Sequence, residues 1–323
     1  MGTIITMSIV QSALELGFIY ELVALALFIS FTILNIADLS TDGCFTLGCA
    51  VCATVTLMGH PILALFAAMG AGIASGFVTA FLQTKMGIES ILAGIIVNTG
   101  LYTINIAAMG FSSNMNLFGK DTIFTWGKEQ LGTSWSQLLI AAVIVIAVGI
   151  LISLFLNTRL GLSIRATGDN PDMVRASSIN TRLMITIGLC VANALTGLSG
   201  GLLAQYQRSC DINLGTGMVT IALASLIIGE TLIGKGSMFV RILGVILGSC
   251  LYRFIVAVAL RLNVPAECLK LVSSIIVAFA IALPYLKKQF AFQKMKRAAK
   301  AENQQFIREI MSQSLGKEEA RDE

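Results

Sequence analysis

The sequence predicts an all-α, polytopic membrane protein with about nine transmembrane helices. Three observations carry that expectation. Hydrophobic residues make up 56% of the 323 residues and charged residues only 12%, against about 25% charged in a soluble domain. Mean hydropathy is +0.83. Apolar runs of about 20 residues recur along the chain, each long enough to cross a bilayer core.

Taken in order, hydrophobic runs and their breakers place spans at 12–34, 43–58, 61–84, 90–110, 137–156, 182–206, 217–232, 239–261 and 268–286. Together residues 1–286 form one membrane domain, followed by a basic tail at 287–323 with nine Lys/Arg, including KKQFAFQKMKR. Such a tail is expected on the cytoplasmic side, facing anionic lipid headgroups rather than nucleic acid. Counting back from it puts the 233–238 loop, the central loop at 158–181 and the Lys85 turn inside. The N-terminus, the polar 111–135 connection and the 207–216 turn then fall outside. The acidic turn ADLSTDG (Ala37–Gly43) falls inside, without a Lys or Arg to support it. Residues 1–11 lack the basic n-region of a signal peptide. LQTKMGIESILAGIIV from Leu82 and LRLNVPAECLKLVSSIIV from Leu260 share a span–hinge–span pattern. The two are offset by five spans, an odd number, so they would form an inverted repeat, a transporter feature.

The central loop is the least oily part of the membrane domain. It holds Arg159, Arg165 and Arg175, with Arg182 at its exit, as the positive-inside rule requires. Within it, DNPDMVRASS spells a short helix. Asn170 is a good N-cap, Pro171 suits the first helical position, and Asp172 meets the positive end of the dipole. Asn180 or Thr181 can cap the next span. Two turns of helix are not stable alone in water and need a surface to pack on. Met173, Ala176 and Ser177 share one face by their spacing, with Val174 beside it and Asp172 and Arg175 flanking. Two readings fit: an amphipathic interfacial linker, or a docking helix for a soluble partner.

GLSIRATGDNPDMVRASSIN resembles the cytoplasmic coupling-helix loop of ATP-binding cassette (ABC) importer permeases, in the branched-chain amino-acid and ribose permease superfamily with the type II importer fold. LNIADLSTDGCFTLGCAV (Leu34–Val51), ALTGLSGGLLAQYQ (Ala194–Gln207) and IALASLIIGETLIGKGS (Ile221–Ser237) resemble further stretches of that group. The likeness covers roughly 15–290 and is greatest to the subgroup described as tryptophan/tyrosine transport permeases. Larger members carry one more N-terminal span. The resemblance implies a bacterial inner-membrane permease that pairs with a like subunit and moves a small solute, an amino acid in the subgroup's case. An external binding protein would deliver the solute. A pair of ATPase subunits would dock on Asn170, Pro171, Asp172, Met173, Val174, Arg175, Ala176 and Ser177. ATP and Mg²⁺ would be used by those partners, with no cofactor bound by this chain.

Several motifs are decoys. GETLIGKG (Gly229–Gly236) nearly matches a P-loop, but Gly236 stands where a Mg²⁺-ligating hydroxyl is needed, and the segment follows a helix rather than a strand. GAGIASG (Gly70–Gly76) lies inside a span, where small residues let helices approach. Cys49 and Cys52 form a C-x-x-C without a second metal-ligating pair nearby, and His60, before Pro61, reads as a turn residue. No catalytic set or metal cluster is expected within the spans. Polar groups at membrane depth are costly and often functional. Candidates for the translocation pathway are Asn35, Asp38, Asp42, Asn98, Asn193, Gln205 and Glu230, while Glu21, Asn105 and Arg253 are further polar residues within spans. Capping of the 43–58 span is the plainer role for Asp38 and Asp42. The competing function class is an ion-coupled secondary carrier, whose uptake would follow an ion gradient rather than ATP.

Overall fold

The structure is a computed structural model that describes residues 7–132, 135–234 and 236–261, with shorter described stretches between 271 and 296. The chain forms two units, Met1–Val277 and Ala278–Glu323. The described residues of the second are helical. The basic tail and the ninth expected span lie largely outside the described residues, as does the second half of the expected repeat.

In the first unit, α1 (Met7–Leu27) runs on into a π-helical segment (Phe28–Ile33). Then follow α2 (Thr41–Leu57), α3 (Pro61–Thr84), α4 (Ser90–Ala108), the short strand β1 (Asn114–Asn116) and α5 (Ile123–Leu131). Next come α6 (Ser136–Asn157), α7 (Arg159–Asp169), α8 (Pro171–Ala176), α9 (Thr181–Gln207), β2 (Ser209–Asp211), α10 (Met218–Ile233) and α11 (Met238–Arg261). Among the described residues, six helices are long and apolar enough to cross a membrane: α1 with its π continuation, α3, α4, α6, α9 and α11. α2 and α10 are apolar but shorter, with 17 and 16 residues. The polar 111–135 connection, expected as a plain loop, contains α5 and β1, and β1 pairs antiparallel with β2.

The centre of the unit is α9, which packs against α1, α2 and α3. Its sequence explains the position. Gly197 and Gly200 leave room for backbone of neighbouring helices, and Gly48 and Gly72 answer from α2 and α3. A Cβ at Gly48 would strike the Gly197 carbonyl, and one at Gly72 the Asn193 carbonyl. Close backbone approach of this kind is how small residues bind helices in lipid, where water supplies no hydrophobic drive. The other faces of α3, α4, α6 and α11 carry Phe66, Ile96, Leu154 and Leu247, all exposed, as lipid-facing residues must be.

Candidate functional site

The chain is broken between α1 and α2, and the break sits against the middle of α9. The π-helical segment ends with the N–H of Leu34 on the carbonyl of Ile29 at 3.0 Å and that of Ile36 on Ser30 at 2.8 Å. Asn35 takes a positive φ of 56°, a conformation asparagine tolerates better than most residues. Asp38 then builds the start of α2. Its Oδ1 accepts from the Ser40 backbone at 2.9 Å and the Ser40 hydroxyl at 2.6 Å. Its Oδ2 accepts from Asn193 Nδ2 of α9 at 2.8 Å. Asp38 and Asn193 are both buried, so this pair fixes the depth at which α2 begins.

Asp42, in the first turn of α2, caps a different helix. Its two carboxylate oxygens each accept a backbone N–H from the start of α10, Gly217 and Val219, both at 2.9 Å. Thr46 Oγ1 accepts the N–H of Gly215 at 3.1 Å. So the N-termini of α2 and α10 meet, each with its own carboxylate. Half-helices whose N-termini converge within a membrane protein are a recurrent way to build a solute site. The charge count had put the 37–43 turn and the 207–216 turn on opposite faces. Their direct hydrogen bonds correct that: both enter the same region, and α2 and α10, with 17 and 16 residues, fall short of the about 20 that cross a bilayer core.

Beside this junction lies a cavity of about 320 Å³. α2 contributes Asp42, Gly43 and Thr46, α4 contributes Asn98, Thr99, Tyr102 and Asn105, and the loop before α10 contributes Ile212, Asn213 and Thr216. Gly43 is needed here, since a Cβ would lie 2.6 Å from Asn98 Oδ1. Asn105 donates Nδ2 to the Gly43 carbonyl at 3.1 Å, while its Oδ1, although buried, has no hydrogen-bond partner among the described residues.

The second candidate surface is the 158–181 loop, which is two helices. α7 was not expected as a separate element. Thr158 caps it, its Oγ1 accepting the Gly161 N–H at 3.2 Å. Gly161, Ile164 and Thr167 form its buried face, and Gly168 sets its end directly on the carbonyl of Ile33. α8 follows as the sequence reading has it. Asn170 Oδ1 accepts from Asp172 N and Met173 N at 3.2 and 3.1 Å, with Pro171 in the first turn. The helix is shorter than 170–178, because Ser178 turns to a φ of 61°. Val174 is buried against the body, which removes it from the exposed patch expected of it. Met173, Asp172, Arg175, Ala176 and Ser177 remain exposed. Asn180 caps α9 through the Leu183 N–H at 3.3 Å.

A short, capped, exposed helix is what the loop resemblance implies, and comparison with known proteins shows the family. The family described as "Branched-chain amino acid transport system / permease component" matches residues 9–281. The chain belongs to that family. The tyrosine transport system permease protein of Clostridioides difficile (strain R20291) is 34% identical over 277 residues, 85% of this chain and 91% of that protein. The ribose import permease protein RbsC of Escherichia coli (strain K12) is 26% identical, covering 78% of each chain. The galactose/methyl galactoside import permease protein MglC of the same strain is 26% identical over 70% of this chain and 67% of its own. No solved structure matches. This is therefore an ABC-transporter permease, a multi-pass protein of the bacterial inner membrane.

Of the permease's expected pathway residues, the structure brings Asp42 and Asn98 to the cavity and places Asp38 and Asn193 as a bonded pair at the start of α2. Asn35 lies in the break. Gln205 is elsewhere, at the C-terminal end of α9. It donates to the Pro61 carbonyl at 2.8 Å and accepts from Ile123 N at 3.0 Å, so it ties α9 to α3 and α5. Glu230 is also elsewhere and pairs with Arg241 at 2.9 Å, not with Arg253, which lies over the Tyr20 ring at 3.6 Å. Tyr102, Thr99 and Thr46 were missed as cavity residues. Asn98, Tyr102 and Asn105 stand at i, i+4 and i+7, one face of a helix, and that spacing was the available signal.

Proposed function

We propose that this chain is the membrane-spanning permease subunit of an ABC importer. It translocates a small solute handed over by an external binding protein, and ATP is hydrolysed, with Mg²⁺, in a pair of partner ATPases. The solute is an amino acid, aromatic as in the tyrosine-transport relative, and two copies of this chain form the pathway between them. The tail and the α7–α8 loop face the cytoplasm. The observation that carries this reading is the position of α8. It presents Asp172, Met173 and Arg175 outward, while Val174 and α7 connect it to the body.

The connection supplies a mechanism. A push on α8 reaches α7, whose Gly168 rests on the Ile33 carbonyl with no side chain between to absorb the displacement. Asn35 to Asp38 follow directly, and Asp38 and Asp42 hold the starts of α2 and α10. Rigid elements in contact pass motion on; a broken helix is where it can be converted into a change of cavity shape. Membrane vesicles carrying the intact system test this. Uptake of labelled L-tyrosine should require ATP and continue when an ionophore has collapsed ion gradients. Uptake that survives without ATP but stops with the ionophore would replace the importer with an ion-coupled carrier.

A further inference from the structure

The cavity beside Asp42 has a chemistry more specific than "polar". Its wall offers acceptors. Asp42 supplies a carboxylate, and Asn105 supplies a buried Oδ1, 2% of the residue being exposed, with no partner among the described residues. The orientation of that amide is fixed by its neighbour. The Gly43 carbonyl can only accept, so Nδ2 must face it and Oδ1 is the end left over. A buried acceptor without a donor costs free energy unless something arrives to satisfy it.

Charge points the same way. Two carboxylates, Asp38 and Asp42, serve two helix N-termini. Each N-terminus carries about half a positive charge, so the pair of dipoles offsets roughly half of the two negative charges. None of the described residues lining the cavity is Lys, Arg or His. The space therefore keeps a net negative charge, to which Asn98, Thr99, Tyr102, Asn213 and Thr216 add only neutral groups that both donate and accept. Its volume of about 320 Å³ lies at the small end of small-molecule sites, and Ile212 is the one aliphatic side chain among the lining residues.

We infer that this cavity is a solute subsite selecting a primary ammonium group, the amine of a zwitterionic amino acid. Asp42 supplies the countercharge and Asn105 Oδ1 accepts one of the ammonium protons. The inference rests on the permease reading and sharpens it. It gives the membrane subunit its own preference, for amines over carbohydrates and over carboxylates.

Thr99 gives access for a test. It lines the cavity, is exposed, and its hydroxyl is bonded only within α4, to Ile95 O at 2.8 Å. The full-length chain with Thr99→Cys, in lipid nanodiscs, is labelled with a cationic aminoethyl or an anionic sulfonatoethyl methanethiosulfonate. The unsubstituted chain sets the background, its described cysteines being buried or half-buried. The cationic reagent should react at least about tenfold faster, as expected for opposite charges near one carboxylate. L-Tyrosine and tyramine should slow the labelling, and 3-(4-hydroxyphenyl)propionate and D-ribose should not. Asp42→Asn should abolish the difference between reagents. Should that variant fail to fold, Asn105→Leu serves instead: it keeps the preference for the cationic reagent and loses most of the protection by tyramine. Equal labelling by both reagents, or protection by the propionate or ribose as strong as that by tyramine, overturns the inference. Neither readout involves ATP or an ATPase, so its failure leaves coupling through α8 untouched, and loss of the coupling reading leaves the charge preference standing.

Discussion

Asp38 is the residue on which the break between α1 and α2 depends. It satisfies two donors of Ser40 and one of Asn193, all buried or nearly so. Hydrogen bonds to a charged group contribute about 1.5–3 kcal/mol each when a partner is removed. The three bonds share one carboxylate and do not add, so Asp38→Ala should destabilise the protein by at least about 2–4 kcal/mol, seen as a lower melting temperature in nanodiscs, and Asp38→Asn by less, because an acceptor remains. A second contrast separates glycines that touch from glycines that do not. A Cβ at Gly72 meets the Asn193 carbonyl, whereas one at Gly70 meets nothing within 4 Å. Gly72→Leu should force α3 off α9 at a cost of about 1–3 kcal/mol. Gly70→Leu should leave the melting temperature within error, and equal effects would refute the packing described for α3. At this scale the sequence was only partly legible. GAGIASG announced a close helix contact, but not that Gly72 and Gly76 make it while Gly70 faces away. Asp42 read as a cap of its own helix, and its real client, α10, is 175 residues further on, a distance that no local spacing reveals.

Elements were legible where local rules suffice. α8 follows from Asn170, Pro171 and Asp172 in consecutive positions, and the apolar helices follow from their length. α5 was hidden because its capping box uses Thr122 and Thr125, where the usual signature has Glu or Gln at the later position. α7 was hidden among charged residues, its buried face resting on only Gly161, Ile164 and Thr167. The turn before α2 was read at 37–43, but the π-helical segment leading into it could not be seen, since FISFTILNIA has the composition of an ordinary span. The proposed function rests most on α8, and its exposed charges can be exchanged at little structural cost. Asp172 and Arg175 form an exposed pair at 3.4 Å, of a type worth little to folding. Asp172→Arg together with Arg175→Glu should leave yield and melting temperature nearly unchanged while abolishing ATP-driven uptake, because docking surfaces read charge sign. Normal uptake by this double variant would remove α8 from the coupling role. Asn170→Ala should act differently, fraying the helix by about 1 kcal/mol and lowering uptake only in part.

At the scale of the molecule, the two candidate surfaces are joined by one short route: α8, α7, the Ile33 carbonyl, the break, and the paired starts of α2 and α10. Burial along α9 and exposure of apolar side chains on α3, α4, α6 and α11 leave the outer faces to lipid or to a second copy. The membership of the family, the multi-pass architecture and the transport role were legible in the sequence, because composition and the 161–180 motif carry them. The side assignment of the acidic turn was not, because it holds no Lys or Arg and depends on contacts between short helices far apart in the chain. The central claim is that partner ATPases drive this chain through α8. Its most direct test is to purify the tagged chain from its host in mild detergent with ATP trapped, and to identify the bound proteins by mass spectrometry. A stoichiometric P-loop ATPase on the native chain, lost from the Asp172→Arg, Arg175→Glu variant, is the result the account predicts. An ATPase absent from both preparations, or bound equally to both, would contradict it.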